Sequence, residues 1–237
     1  MNLRSSTFLL PATLLCLCTT SSFAAPVACP TTTLNQYFSY DLPFSPCGQG
    51  ELIFGGFAFS ETTNTGLITA SDIQVTPTGI GFNFFTDLFN SDDPNNPYQR
   101  YLIYYEVDPA PILAGDEISL DPPSGGIVVT KYTCLDSPLF IGNLADPSTY
   151  LCSIGNKSPY TLKVDTTNPP GSLSDAVVYP HPGTFVPVLL VIELQGVVQG
   201  LEGIVSDTPT VPEPSTFGML AGALVGGAAL LRRRRQP

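Results

Sequence analysis

Through the middle of this chain, several short segments alternate or concentrate apolar residues in the manner of strands, separated by proline, glycine and asparagine. A period of two is what a strand shows when one of its faces is buried. Residues 101–107 (YLIYYEV) are dominated by aromatic and β-branched side chains and predict a strand. Residues 52–59 place Phe54, Phe57 and Phe59 around Gly55-Gly56, which predicts a strand interrupted by a bulge. Further strands are expected at 72–76, 81–85, 118–120, 126–132, 160–164 and 186–194, with turn-forming clusters at 90–97, 121–125 and 168–171. No stretch between the two ends keeps a helical period, and the 24 prolines and 21 glycines of the chain are spread along it. The pattern predicts an all-β fold, an antiparallel β-sandwich ectodomain.

The two ends break this pattern. At the front, Arg4 precedes an apolar run over 8–18, and Ser22-Phe23-Ala24 sets small residues where a signal peptidase cuts, giving a leader over 1–24. Pro11 interrupts that run, which is too short to span a bilayer. At the back, Val211, Pro212, Glu213, Pro214, Ser215 and Thr216 are followed by an apolar stretch over 217–231 and then by Arg232, Arg233, Arg234 and Arg235. As a short transmembrane helix this stretch reaches about 22 Å at about 1.5 Å per residue, less than the ~30 Å of a hydrocarbon core. The arginines are expected to stop transfer, stay cytoplasmic and hold the ectodomain outside. Gly218, Gly222 and Gly226 recur every four residues, a spacing that permits close helix approach or simply keeps the segment weakly apolar.

The order V-P-E-P-S-T, short apolar helix, arginine cluster and stop resembles the PEP-CTERM sorting signal of Gram-negative bacteria, a segment also described as an ice-binding protein C-terminal domain. The resemblance implies that Pro212-Glu213-Pro214 is read by an exosortase, a membrane transpeptidase-like processing enzyme. It also implies association with exopolysaccharide and biofilm, and a route from the inner membrane and periplasm to the cell surface or extracellular matrix. The organisation expected is a signal peptide at 1–24, an ectodomain at 25–206, a proline-rich linker with the motif at 207–216, the membrane helix at 217–231 and a cytoplasmic tail at 232–237.

Charge and cysteines narrow the ectodomain. The chain carries a net charge of −11, and the part between the signals is more acidic still, since Arg100, Lys131, Lys157 and Lys163 are its only basic residues. Such a surface repels nucleic acid. Cys16 and Cys18 leave with the leader, so the mature domain keeps Cys29, Cys47, Cys134 and Cys152, an even number in an oxidising compartment. Four cysteines allow three pairings. The two local ones, Cys29–Cys47 and Cys134–Cys152, are expected. With no CxxC pair and a single histidine, the set does not read as a metal site, and no cofactor is expected.

Candidate chemistry in the ectodomain is sparse. The oxygen-rich run 90–96 lacks the spaced acidic ligands of a calcium loop and reads better as a hydrated turn. Asp92-Asp93 and Asp116-Glu117 are adjacent carboxylates, whereas glycoside hydrolysis needs two acids opposed across a substrate. His181, in a proline-flanked loop, has no G-x-S-x-G elbow before it. Tyr98, Tyr101, Tyr104 and Tyr105 offer either a sugar-stacking face or a half-buried sheet surface. The chain therefore reads as a non-enzymatic surface or matrix protein, with a polysaccharide-binding or polysaccharide-modifying protein as the rival.

Overall fold

The computed structural model describes residues 26–42, 44–62, 68–86, 98–109, 113–120, 124–144, 146–155, 157–167, 173–199 and 201–208. In chain order its strands are β1 (Val27–Ala28), β2 (Thr32–Thr33), β3 (Cys47–Gln49), β4 (Leu52–Glu61) and β5 (Gln74–Pro77). Next come β6 (Gly81–Thr86), β7 (Tyr98–Pro109), β8 (Leu113–Leu120), β9 (Ser124–Thr133) and β10 (Leu139–Ile141). The last five are β11 (Tyr150–Cys152), β12 (Tyr160–Asp165), β13 (Ser174–Gly183), β14 (Val186–Gln199) and β15 (Leu201–Asp207). A single turn of α-helix, α1 (Leu34–Tyr37), follows β2. A seven-stranded sheet in the order β1-β3-β4-β7-β14-β9-β12 lies over a six-stranded sheet in the order β13-β8-β15-β6-β5-β2, and β10 and β11 form a separate hairpin. Neighbours are antiparallel except the short β1–β3 pair. This is the all-β sandwich that the alternation predicts.

The period of two places the core. Tyr101, Ile103, Tyr105 and Val107 on β7, and Val186, Val188, Leu190, Ile192 and Leu194 on β14, point between the sheets and join one apolar cluster. β14 is apolar on its other side as well, where Leu189 and Val191 pack with Leu102 and with Tyr150 of the hairpin in a second, smaller cluster. A strand with both faces covered loses the alternation and reads as a continuous apolar run.

The β4 bulge has a clear purpose. Phe54 and Phe57 are three residues apart and would face opposite ways on a regular strand. The pairing of β4 with β7 slips between Gly55 and Ala58, and Gly56 takes φ +65°, a conformation open to glycine. The extra residue turns both phenylalanines inward. There Phe54 meets Phe82 edge-on at 4.7 Å and Phe57 stacks on Tyr105 at 5.7 Å. Gly81, at the start of β6, is equally constrained: a Cβ there would lie 2.0 Å from Ser206 O on the neighbouring strand.

Seven strands, β1, β2, β3, β10, β11, β13 and β15, were not expected from the alternation, and the two long ones have physical reasons. β13 contains Pro180 and Pro182, and it sits at the edge of its sheet, where a missing N–H is tolerated. The backbone of His181, expected in a loop, therefore lies in a strand. β15 is an interior strand that turns the polar Ser206 inward beside Ile204, and Tyr105 OH and Ser206 Oγ lie 2.7 Å apart in a hydrogen bond. Asp207, expected to open the linker, is the last residue of β15, and Thr208 N still donates to Ile80 O at 2.9 Å.

One charged contact crosses the core. Lys131 on β9 and Asp116 on β8 occupy inward positions of opposing sheets, and both side chains are 0% exposed. The ammonium contacts Asp116 Oδ1 and donates to Glu117 O at 3.1 Å and Asp207 O at 3.0 Å, so it ties the larger sheet to two strands of the smaller one. Burial pushes the Lys131 pKa down and that of Asp116 up, each against the attraction of the other. Removing one partner strands the other charge. Asp116→Ala or Lys131→Met should each cost about 3–5 kcal/mol in urea unfolding. The double substitution should cost less than the sum of the two, and full additivity would contradict direct coupling.

Candidate functional site

The outer face of the seven-stranded sheet carries a concavity lined by described residues. Here β10 and β11 lie over β7 and β14 and leave a cavity of about 330 Å³ at their margin. Ala58, Phe59 and Ser60 of β4 form one wall, Leu102, Tyr104 and Leu189 the floor, and Leu139, Phe140 and Ile141 of the hairpin the roof. Pairing register explains the floor, since Leu189 stands opposite Tyr104 and Val191 opposite Leu102. The roof follows from pairing too: Leu139 faces Cys152 and Ile141 faces Tyr150, which turns Phe140 outward to 57% exposure at the rim.

The hairpin is held by covalent and polar contacts. Cys134, at the end of β9, is joined to Cys152 of β11, with their Cα atoms 5.5 Å apart. Tyr150 meets Tyr132 edge-on at 5.1 Å and donates to Leu144 O at 2.9 Å. Asp146 closes the intervening 3-10 turn by accepting from Ser148 N at 3.0 Å and Ser148 Oγ at 2.7 Å, bonds that pull its pKa below the usual carboxylate value. The second bridge joins Cys29 to Cys47 and fixes the N-terminal segment beside β3. Both bridges are the local pairings expected from the sequence.

Polar groups flank the cavity. Tyr104 OH donates to Glu106 Oε1 at 2.7 Å, and burial, then Glu106, raises its pKa. Four residues along the same face of β7, about 13 Å from Leu102 at ~3.4 Å per residue, Tyr98 OH donates to Glu193 Oε1 at 2.6 Å. Its pKa is pushed up to about 12, first by burial and then by that carboxylate. Arg100, between them, is buried and approaches Glu193 at 3.5 Å, while its Nη2 closes no hydrogen bond among the described residues.

The four tyrosines do not share a face. Tyr101 and Tyr105 are fully buried in the main core, while Tyr98 and Tyr104 are on the outer side. Asp116 and Glu117 likewise point opposite ways, one to Lys131 and one to solvent. The run 90–96, the sorting motif, the apolar stretch 217–231 and Arg232 to Arg235 lie outside the described residues, and so does the leader. Among the described residues no cluster of three metal-ligating side chains occurs, and no helix is long and apolar enough to cross a membrane. The outer-face cavity is absent from the sequence reading. Its one local signal is the apolar character of both faces of 186–194.

Fold and site together define a disulfide-bonded β-sandwich domain with an apolar cavity on one outer face. Residues 210–235 match the PEP-CTERM protein-sorting motif, so the chain carries that motif directly after the sandwich. No curated protein matches the chain. Among solved structures, it is similar to TmCBM61 in complex with beta-1,4-galactotriose, at 11% identity and a TM-score of 0.34, covering 65% of this chain and 89% of that one. A likeness at that score carries no argument about ligand.

The hairpin's position depends on its bridge. Cys134→Ser opens a loop of eighteen positions and should lower stability by about 3 kcal/mol in the chain-entropy model. Cys152 should then label with a thiol reagent in the folded protein, and an unchanged melting temperature would show that the hairpin is held by packing alone.

Proposed function

We propose that this chain is an exported, non-enzymatic surface or matrix protein, delivered by its leader and sorted through its C-terminal motif. The match at 210–235 carries the reading, and the two disulfides support it, because such bonds persist in oxidising compartments. In this reading the segment 217–231 holds the protein in the inner membrane and Arg232, Arg233, Arg234 and Arg235 keep its end cytoplasmic. An exosortase-type enzyme then acts at or near Pro212-Glu213-Pro214, and the sandwich passes to the cell surface or to an exopolysaccharide matrix. Glu213→Ala in the native host should leave the C-terminal segment attached and the protein in the membrane fraction. Mass spectrometry of the C-terminus and fractionation read the outcome, and a variant processed like wild type would remove the exosortase from the account.

A second reading, polysaccharide binding, has a specific footing in the outer face. An apolar floor beside phenols and carboxylates matches the two sides of a sugar, its C–H face and its hydroxyls. The positions to test are Tyr98 and Tyr104, because substituting Tyr101 would open the core. Affinity electrophoresis in host exopolysaccharide should show retardation that falls several-fold in Tyr98→Ala and Tyr104→Ala. Equal mobility of wild type and both variants would eliminate this surface.

A further inference from the structure

The contact between Lys131 and Asp116 has features that a structural ion pair does not require. Both side chains are fully enclosed, with the amine nitrogen directly against the carboxyl group. Two hydroxyls share this site: Thr133 interacts with the Asp116 carboxyl and with Tyr179 OH, and Tyr179 is electrostatically coupled to Asp116. None of the three, Asp116 Oδ2, Thr133 Oγ1 or Tyr179 OH, closes a hydrogen bond of ordinary geometry. Buried polar atoms whose mutual contacts fall short of good hydrogen-bond geometry are costly, because they recover only part of what they lose on leaving water. A nucleophile, an acyl carbon and two hydroxyls thus meet at a fully buried site between the sheets.

We propose that Lys131 and Asp116 condense to an intramolecular amide, a covalent strut joining β9 of one sheet to β8 of the other. The Nζ lone pair attacks Asp116 Cγ, and the C–N bond forms as one C–O bond breaks. The departing carboxyl oxygen takes the acid proton and one amine proton and leaves as water, so the amide nitrogen keeps one hydrogen. The step is redox-neutral and needs no co-reactant. Burial supplies the starting protonation states, since it favours the free amine of Lys131 and the neutral acid of Asp116. Thr133 and Tyr179 are placed to polarise the carboxyl and pass the proton. The product leaves no ionisable group at either side chain, and its N–H still faces Glu117 O and Asp207 O. Of the other charged groups near Lys131, Glu117 is turned to solvent and Asp207 Oδ1 is held by Thr78 at 2.6 Å, so neither carboxylate competes for the bond.

Mass spectrometry of the wild-type protein decides the matter without relying on a variant that folds. The full chain is expressed with its leader and recovered from the periplasm. Its intact mass is compared with that of its sequence, after allowing for terminal processing and the two disulfides. The expected mass is lower by one water. After reduction, trypsin should leave residues 101–157 as one internally bridged peptide, uncut after Lys131 and without fragment ions between positions 116 and 131. Lys131→Arg should restore the full mass, whatever its stability. A wild-type mass equal to that of its sequence, with ordinary cleavage after Lys131, overturns the proposal and leaves the contact an ion pair.

Discussion

The sandwich is organised around a pair of groups that an apolar core should exclude. Lys131 and Asp116 lie wholly out of water, one from each sheet. Taking two such groups from solvent costs several kcal/mol apiece, which mutual attraction repays only when the geometry is good and the remaining donors are bonded. Here the two carbonyls of Glu117 and Asp207 complete the shell around Nζ. Those carbonyls belong to β8 and β15, which pair with each other. The position of the larger sheet over the smaller is therefore specified by direction-dependent contacts. Apolar packing around the site, from Tyr105, Ile118 and Leu190, is compatible with many registers, whereas this contact is compatible with one.

A second constraint sits on the opposite side of the larger sheet. Most sandwiches leave their outer faces to water, and polar residues then alternate with apolar ones. In this chain the middle strands β7 and β14 also carry apolar residues outside, Leu102, Leu189 and Val191, and the β10–β11 hairpin covers that part of the surface. The hairpin is too short to stand alone. Its hold on the sheet comes from the Cys134–Cys152 bridge, the Tyr132–Tyr150 contact and the few aliphatic side chains beneath it. The cavity at its margin is the unfilled remainder of that packing. A surface assembled in this way can change its ligand by altering a few hairpin residues while the core stays as it is.

The two bridges also connect the domain to its setting. An exported domain meets no chaperone-rich cytosol after secretion, and cross-links that limit unfolding are of most use there. Both bridges join residues near strand ends, Cys47 in β3 and Cys152 in β11, where a frayed terminus would otherwise expose an edge. The sorting motif begins within a few residues of Thr208, the last described position.

The sequence alone determined whatever depends on local chemistry. The aromatic and β-branched run at 101–107 and the alternation at 160–164 are properties of neighbouring residues, and the strands there are β7 and β12. The glycine pair among phenylalanines at 54–59 implied a bulge because only an inserted residue puts Phe54 and Phe57 on one side. The motif at 210–235 is a linear signal and was legible as such. Tertiary structure decided the rest. Nothing local reveals that Pro180 and Pro182 lie in an edge strand, because an edge is defined by the absence of a neighbour. Tyr98 and Tyr104 part from Tyr101 and Tyr105 only when the strand acquires an inside and an outside. Lys131 occupies the inward parity of 127 and 129, a hint that the sequence held, but its meaning required Asp116 to arrive from the other sheet. A buried charge declares itself in one residue, while its partner is set by how the layers meet.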